Sequence, residues 1–232
     1  MAERHIVAMG GGGFLQETPS LTDDFILGLT GRDEPRICYL GQAMGDEPGN
    51  IARFHRAFPP GRARATHLNL FSRDETDPRA HLLAQDVVYV GGGNTVNLLA
   101  IWRAHGVDAA LREAWETGVV LCGMSAGSLC WFECGITDSY GPLRPIGDGL
   151  GLLPGSNCPH YDSEESRRPT YTQAVAEGFP AGYAADDLCA LHFVGTELAE
   201  AVGSHPAARG FRVERGPDGA VETPIAVRYL GA

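Results

Sequence analysis

Four stretches of the chain are apolar along nearly their whole length, with no polar alternation: HIVAMG (5–10), RICYLG (36–41), DVVYVGGG (86–93) and GVVLCGMS (118–125). Each is short, rich in β-branched residues and closed by glycine or a glycine-flanked serine, which is how strands covered on both faces read. Such strands are parallel and central. Between them the period changes to that of helices, over 20–30 with Ser20 as the cap, 49–58, 95–104 and 107–117. A β-α-β alternation of this kind needs crossover helices on both faces of a sheet, so the pattern predicts a doubly wound α/β fold with a mostly parallel sheet. After residue 135 the pattern breaks. Residues 135–171 are rich in glycine, proline and charge and read as surface loops on the scaffold, followed by a helix over 169–178. The apolar runs near the C-terminus, with GPDGA (216–220) as a hairpin turn, predict antiparallel strands finishing one edge. No repeat or linker interrupts the chain, and residues 1–232 are expected to form one domain.

Composition narrows the partners. A chain of 232 residues that is 44% hydrophobic can bury a full core. Its formal charge of −11 repels nucleic acid and anionic membranes, which leaves a small soluble partner. The N-terminal residues lack the apolar core of a signal peptide and no run is long enough to span a bilayer, so a cytoplasmic location is expected. Six scattered cysteines show no CxxC pair; they read as reduced, buried hydrophobes, and neither a metal nor a cofactor is expected.

The glycine clusters carry the candidate chemistry. Gly10 to Gly13 follow the first strand, but the GxGxxG pattern fails because its third glycine would fall at Leu15. A turn lining the cleft at the carboxyl ends of the strands is the better reading. In GGGNT (91–95), two readings stay open: backbone donors at a helix start that receive an anion, or a tight turn capped by Asn94 or Thr95.

GMSAG (123–127) satisfies GxSxG in the setting a nucleophile elbow requires, after a buried strand and before a helix. The turn pushes the Ser125 hydroxyl into the open. It also presents the Ala126 N–H as one oxyanion donor, with Gly92 or Gly93 of the neighbouring loop as the second. A serine nucleophile needs a histidine base and a group to orient it. Of eight histidines, His5, His55, His67, His81, His105 and His205 fall on helix flanks, strand starts or turns, and His192 alternates along a strand as a half-buried residue. His160, in the loop-rich region behind Pro159, is the best base. Asp138, Asp162, Asp186 and Asp187 compete for the third role; Asp187, at the head of an apolar strand, is preferred.

YVGGGNTVNLL, GMSAGSLCWF, CPHYD and YAADDLCAL, in that order, resemble the peptidase E family of serine peptidases, which includes aspartyl dipeptidases and, more distantly, cyanophycinases. The resemblance implies a class I glutamine amidotransferase-like fold, a flavodoxin-like three-layer sandwich. It implies Ser125, His160 and Asp187 as a triad and Gly93 and Ala126 as oxyanion donors. Asp186 stays an alternative, since aspartyl dipeptidases can carry glutamate at that place. The familiar substrate is a dipeptide with N-terminal aspartate, whose carboxylate needs a cation; Arg167 and Arg168 are the candidates, with Asn94 as a further substrate-binding residue. A homodimer is implied in the same way. The expected activity is a dipeptidase or small-peptide exopeptidase, with an esterase on the same elbow, or a non-catalytic binding protein, as the alternatives.

Overall fold

The computed structural model describes residues 3–73, 75 and 77–232. In chain order the strands are β1 (His5–Met9), β2 (Arg36–Leu40), β3 (Arg64–Leu68), β4 (Val87–Val90), β5 (Val120–Met124), β6 (Phe132–Thr137), β7 (Arg144–Ile146), β8 (Leu153–Cys158), β9 (Gly182–Ala185), β10 (Cys189–Val194), β11 (Glu197–Gly203), β12 (Gly210–Gly216), β13 (Gly219–Ile225) and β14 (Val227–Tyr229). The helices are α1 (Leu21–Gly28), α2 (Pro48–Ala57), α3 (Pro78–Leu83), α4 (Thr95–His105), α5 (Val107–Glu116), α6 (Ala126–Leu129) and α7 (Arg167–Ala176).

The larger sheet has the order β14-β11-β10-β1-β5-β4-β2-β3. Its five strands from β1 to β3 are parallel, as the apolar runs require. Successive residues explain why these runs show no alternation. Val7, Met9, Ile37, Tyr39 and Tyr89 pack against Ile26 of α1 and Phe54 of α2, while Ile6, Ala8, Cys38, Leu40 and Val90 pack against Trp102 of α4 and Leu111 of α5. Both faces are covered, so both need apolar side chains, each contributing roughly 1.5–3 kcal/mol when fully buried. Helices on both faces make this a doubly wound α/β sandwich of the flavodoxin-like kind.

Two expectations need correction. Residues 135–171 are not merely loops: β6, β7 and β8 lie there and join β9, β12 and β13 in a second sheet of order β13-β12-β9-β8-β6-β7. These strands are short and hold proline or glycine (RPI in β7, LPGSNC in β8), and β8 pairs with β9 from beyond α7, so no local pattern announces them. The C-terminal strands also do not finish a single edge. β10, β11 and β14 extend the larger sheet, whereas the β12–β13 hairpin, turning at Pro217 and Asp218 as expected, belongs to the second. The edge strand β3 and the six-residue α3 escaped the pattern reading because Arg64 and His67 interrupt the one and the other is barely two turns long.

Beneath the carboxyl ends of the strands, Asp23 of α1 is 1% exposed. Its Oδ1 accepts from the Tyr89 hydroxyl at 3.1 Å, and its Oδ2 has no hydrogen-bond partner among the described residues. Burial raises its pKa from 3.8 to about 7, against the opposing Tyr89 hydrogen bond. The folded state therefore favours the neutral carboxyl: this contribution is fully present below pH 3.8 and is lost as pH rises through about 7. Asp23→Asn is expected to gain about 4 kcal/mol over wild type above pH 8 and little near pH 4, read by urea unfolding across that range. Equal unfolding midpoints at both ends would remove the buried carboxyl from the account.

All six cysteines are free and buried. Among the described residues no helix is long and apolar enough to cross a membrane.

Candidate active site

Three loops meet at the carboxyl end of β1 and β5, one leaving β5 of the larger sheet and two leaving β8 and β9 of the second sheet. The first is the elbow between β5 and α6, where Ser125 has φ 57° and ψ −114°. A serine pays for such a backbone with strain, held here by the Ser125 N–H donating to Met9 O at 3.2 Å and by Ser128 and Leu129 donating to Ser125 O at 2.9 Å. The flanking glycines are required by close approach: a Cβ on Gly123 would lie 2.5 Å from Gly127 O, and one on Gly127 would lie 2.4 Å from Val90 O. Among the described residues the Ser125 hydroxyl makes no hydrogen bond, so it is left uncommitted.

The second loop follows β8 and carries His160; the third joins β9 to β10 and carries Asp187. His160 Nδ1 donates to Asp187 Oδ1 at 2.6 Å. That bond holds the Asp187 carboxyl below the ordinary aspartate range. The Asp187 N–H is fixed in turn by Asp162 Oδ1 at 2.8 Å. Asp186 points elsewhere: its Oδ2 accepts from Arg209 Nε at 2.8 Å, and burial pushes its pKa up. Met9 to Gly11 tie the pieces together. Met9 O holds the elbow, while Gly11 bridges to Asp187 and accepts the Leu188 N–H at 3.2 Å. A Cβ on Gly11 would fall 2.2 Å from Asp187 Oδ1 and 3.2 Å from His160 Cε1. The first glycine cluster is thus the turn lining the cleft. Four non-glycine residues have positive φ among the described residues, and three of them, Ser125, His160 and Leu188, surround this spot.

A cavity of about 340 Å³ opens on Ser125, lined by Met44, Gly93, Asn94, Asp138, Ser139, Glu164 and Arg167. Gly92 passes so close that a methyl there would sit 3.2 Å from Ser125 Cβ. The donors at the start of α4 are not open to an anion: Ser139 Oγ accepts from Thr95 N–H at 2.9 Å and Val96 N–H at 3.4 Å, and Asn94 Oδ1 caps the helix from Asn97 N–H at 2.8 Å. Asn94 also donates to Ser139 O, so its amide holds the wall together. Arg167 lines the cavity, but Nε and Nη2 donate to Glu164 and Nη1 to Ile136 O. Arg168 does not line it. Its guanidinium is paired with Glu222 on β13 at 2.9 Å and lies over Tyr161 and Phe211. His192 is buried on β10 against His5, 3.0 Å away. The lining residues Met44, Ser139 and Glu164 and the support from Asp162 carry no motif; they reach the site because separate loops converge.

The model of peptidase family S51 matches residues 6–201. The chain belongs to peptidase family S51. It is thereby a serine-type peptidase. This S51 peptidase is 47% identical to the uncharacterized peptidase YgaJ of Bacillus subtilis, over 98% of the chain and all of that protein. Peptidase E of Streptomyces coelicolor is 31% identical over 54% of the chain and 51% of its own length, and peptidase E of Citrobacter koseri 38% over 44% and 46%. Two solved structures share the fold of the S51 peptidase: a peptidase from an acI-B1 actinobacterium (TM-score 0.72, 17% identity, 97% and 95% coverage) and a putative peptidase E protein from Listeria monocytogenes (0.63, 15%, 97% and 100%).

Proposed function

We propose that this peptidase is a serine exopeptidase of the dipeptidase type, acting on small peptides through Ser125, His160 and Asp187. The observation that carries the reading is the strained Ser125 elbow joined through Met9–Gly11 to a histidine that donates to a carboxylate at 2.6 Å. With Nδ1–H bound to Asp187, the His160 Nε2 is the free, basic nitrogen. It takes the Ser125 proton as Oγ attacks the scissile carbonyl. The oxyanion is received by the N–H groups of Gly93 and Ala126, His160 returns the proton to the leaving amine, and the bond to that amine breaks. Water then adds to the acyl-enzyme, again giving its proton to His160, and the acid is released with Ser125 restored.

A small cavity suits small peptides: about 340 Å³ is near the lower end of the roughly 300–1,000 Å³ typical of ligand sites. The test is labelling by a fluorophosphonate with the adduct located by peptide mass spectrometry. Modification at Ser125, lost after heat unfolding, is the expected result; an adduct at another serine, or none, ends the reading.

A further inference from the structure

Under the turn that brings Met44 to the cavity lies a buried amide that the chemistry above leaves unused. Gln42 opens a single 3-10 turn, Gln42–Met44, beyond the carboxyl end of β2, and is 0% exposed. Both amide hydrogens and the oxygen are engaged: Nε2 donates to Asp46 Oδ1 at 2.7 Å and to Leu68 O at 2.6 Å, and Oε1 accepts from Trp102 Nε1 at 3.0 Å. Asp46 closes the same turn. Its N–H donates to Gly41 O at 3.1 Å, and its Oδ2 accepts from the Leu70 and Phe71 N–H groups at 2.6 and 3.0 Å. A methionine of similar length would carry no such cost of burying an amide; what the amide adds is one fixed orientation of the turn against β3 and α4.

The turn abuts the loop that carries Gly93. Ala43 O accepts the Asn94 N–H at 2.9 Å, and a Cβ on Gly93 would lie 2.5 Å from Ala43 O and 2.9 Å from Met44 Cγ. Gly93 has φ 131°, a backbone that only glycine adopts readily, so the peptides on either side of it rotate easily unless something holds them. The Ala43 carbonyl holds the 93–94 peptide and thereby limits where the Gly93 N–H can point.

We infer that Gln42 is a positioning residue for the Gly93 oxyanion donor, because it fixes the turn whose Ala43 carbonyl fixes that peptide. The inference rests on the reading of Ser125 as nucleophile and of the Gly93 N–H as an oxyanion donor. Gln42 lies beneath the turn and acts on the reaction only through the oxyanion, so its loss leaves the His160–Asp187 pair as it is.

The experiment measures the second-order rate of fluorophosphonate labelling at Ser125, a reaction whose phosphoryl oxygen occupies the oxyanion position. It runs from about pH 6 to pH 9, well below each variant's melting temperature. Gln42→Met should label about ten- to fiftyfold more slowly than wild type and by the same factor at every pH. That is less than the roughly 10²- to 10³-fold cost of removing an oxyanion donor outright, since the donor is misaligned and not lost. Asp46→Asn leaves one oxygen where two are used; it should label about three- to fivefold more slowly, and it decides the case if Gln42→Met does not fold. Leu111→Ala, a core truncation on α5, should lower the melting temperature yet label at the wild-type rate. The role of Gln42 alone is overturned by a wild-type rate in folded Gln42→Met, or in Asp46→Asn where Gln42→Met does not fold. A loss that shifts the pH profile, or an equal loss in Leu111→Ala, overturns it too. Absence of labelling at Ser125 in the wild type overturns the catalytic reading beneath it, so the two failures are distinct.

Discussion

Ser125→Ala is expected to lower kcat on any peptide the wild type cleaves by roughly 10⁴- to 10⁶-fold, the loss seen when the nucleophile of a triad is removed. The fold should survive. The hydroxyl makes no hydrogen bond among the described residues, so its removal orphans no buried partner, and alanine meets the positive φ of 57° no worse than serine does. The thermal midpoint should therefore stay within about 2 °C of wild type. Parallel kinetics and calorimetry read both halves, and full activity in a folded alanine variant would remove Ser125 from the chemistry.

The second large effect is expected at Asp187. Its Oδ1 receives the His160 Nδ1 proton at 2.6 Å and so fixes the imidazole with Nε2 unprotonated. Asparagine keeps the shape but offers an amide that can donate to Nδ1, which stabilises the wrong tautomer. Asp187→Asn should cost about 10³- to 10⁴-fold in kcat near neutral pH. The neighbouring carboxylate supplies the control. Asp186 accepts from Arg209 at 2.8 Å and its side chain is 3% exposed, so Asp186→Asn should disturb the ion pair and the melting temperature while leaving the kcat profile against pH in place. Should Asp186→Asn cause the catalytic loss and Asp187→Asn spare it, the assignment of the two reverses.

The site was partly legible before any coordinates because its steepest constraint is local. Gly123 is fixed by the close approach of Gly127 within the elbow itself, while Gly127 is fixed by Val90 of the adjoining strand β4; the strand before the elbow and the helix after it carry their own periodic signals. His160 and Asp187 could be nominated but not joined, since 27 positions separate them and only the second sheet folds one onto the other. The arginines show the reverse case. Adjacent in sequence and equivalent in charge, Arg167 turns into the cavity against Glu164, while Arg168 turns to Glu222 on a strand more than fifty residues away.

By itself the sequence determined the larger parallel sheet, its covering helices and the serine elbow, because burial on both faces and a sterically closed turn each impose a pattern on consecutive residues. What only the tertiary structure decided is the second sheet, the pairing of His160 with Asp187 and of Arg209 with Asp186, the closing of the α4 start by Ser139 and the pairing of Arg167 with Glu164 in the cavity wall. Each of these depends on pairings between segments far apart in the chain, and a pairing energy shared between distant residues leaves no mark on either segment alone.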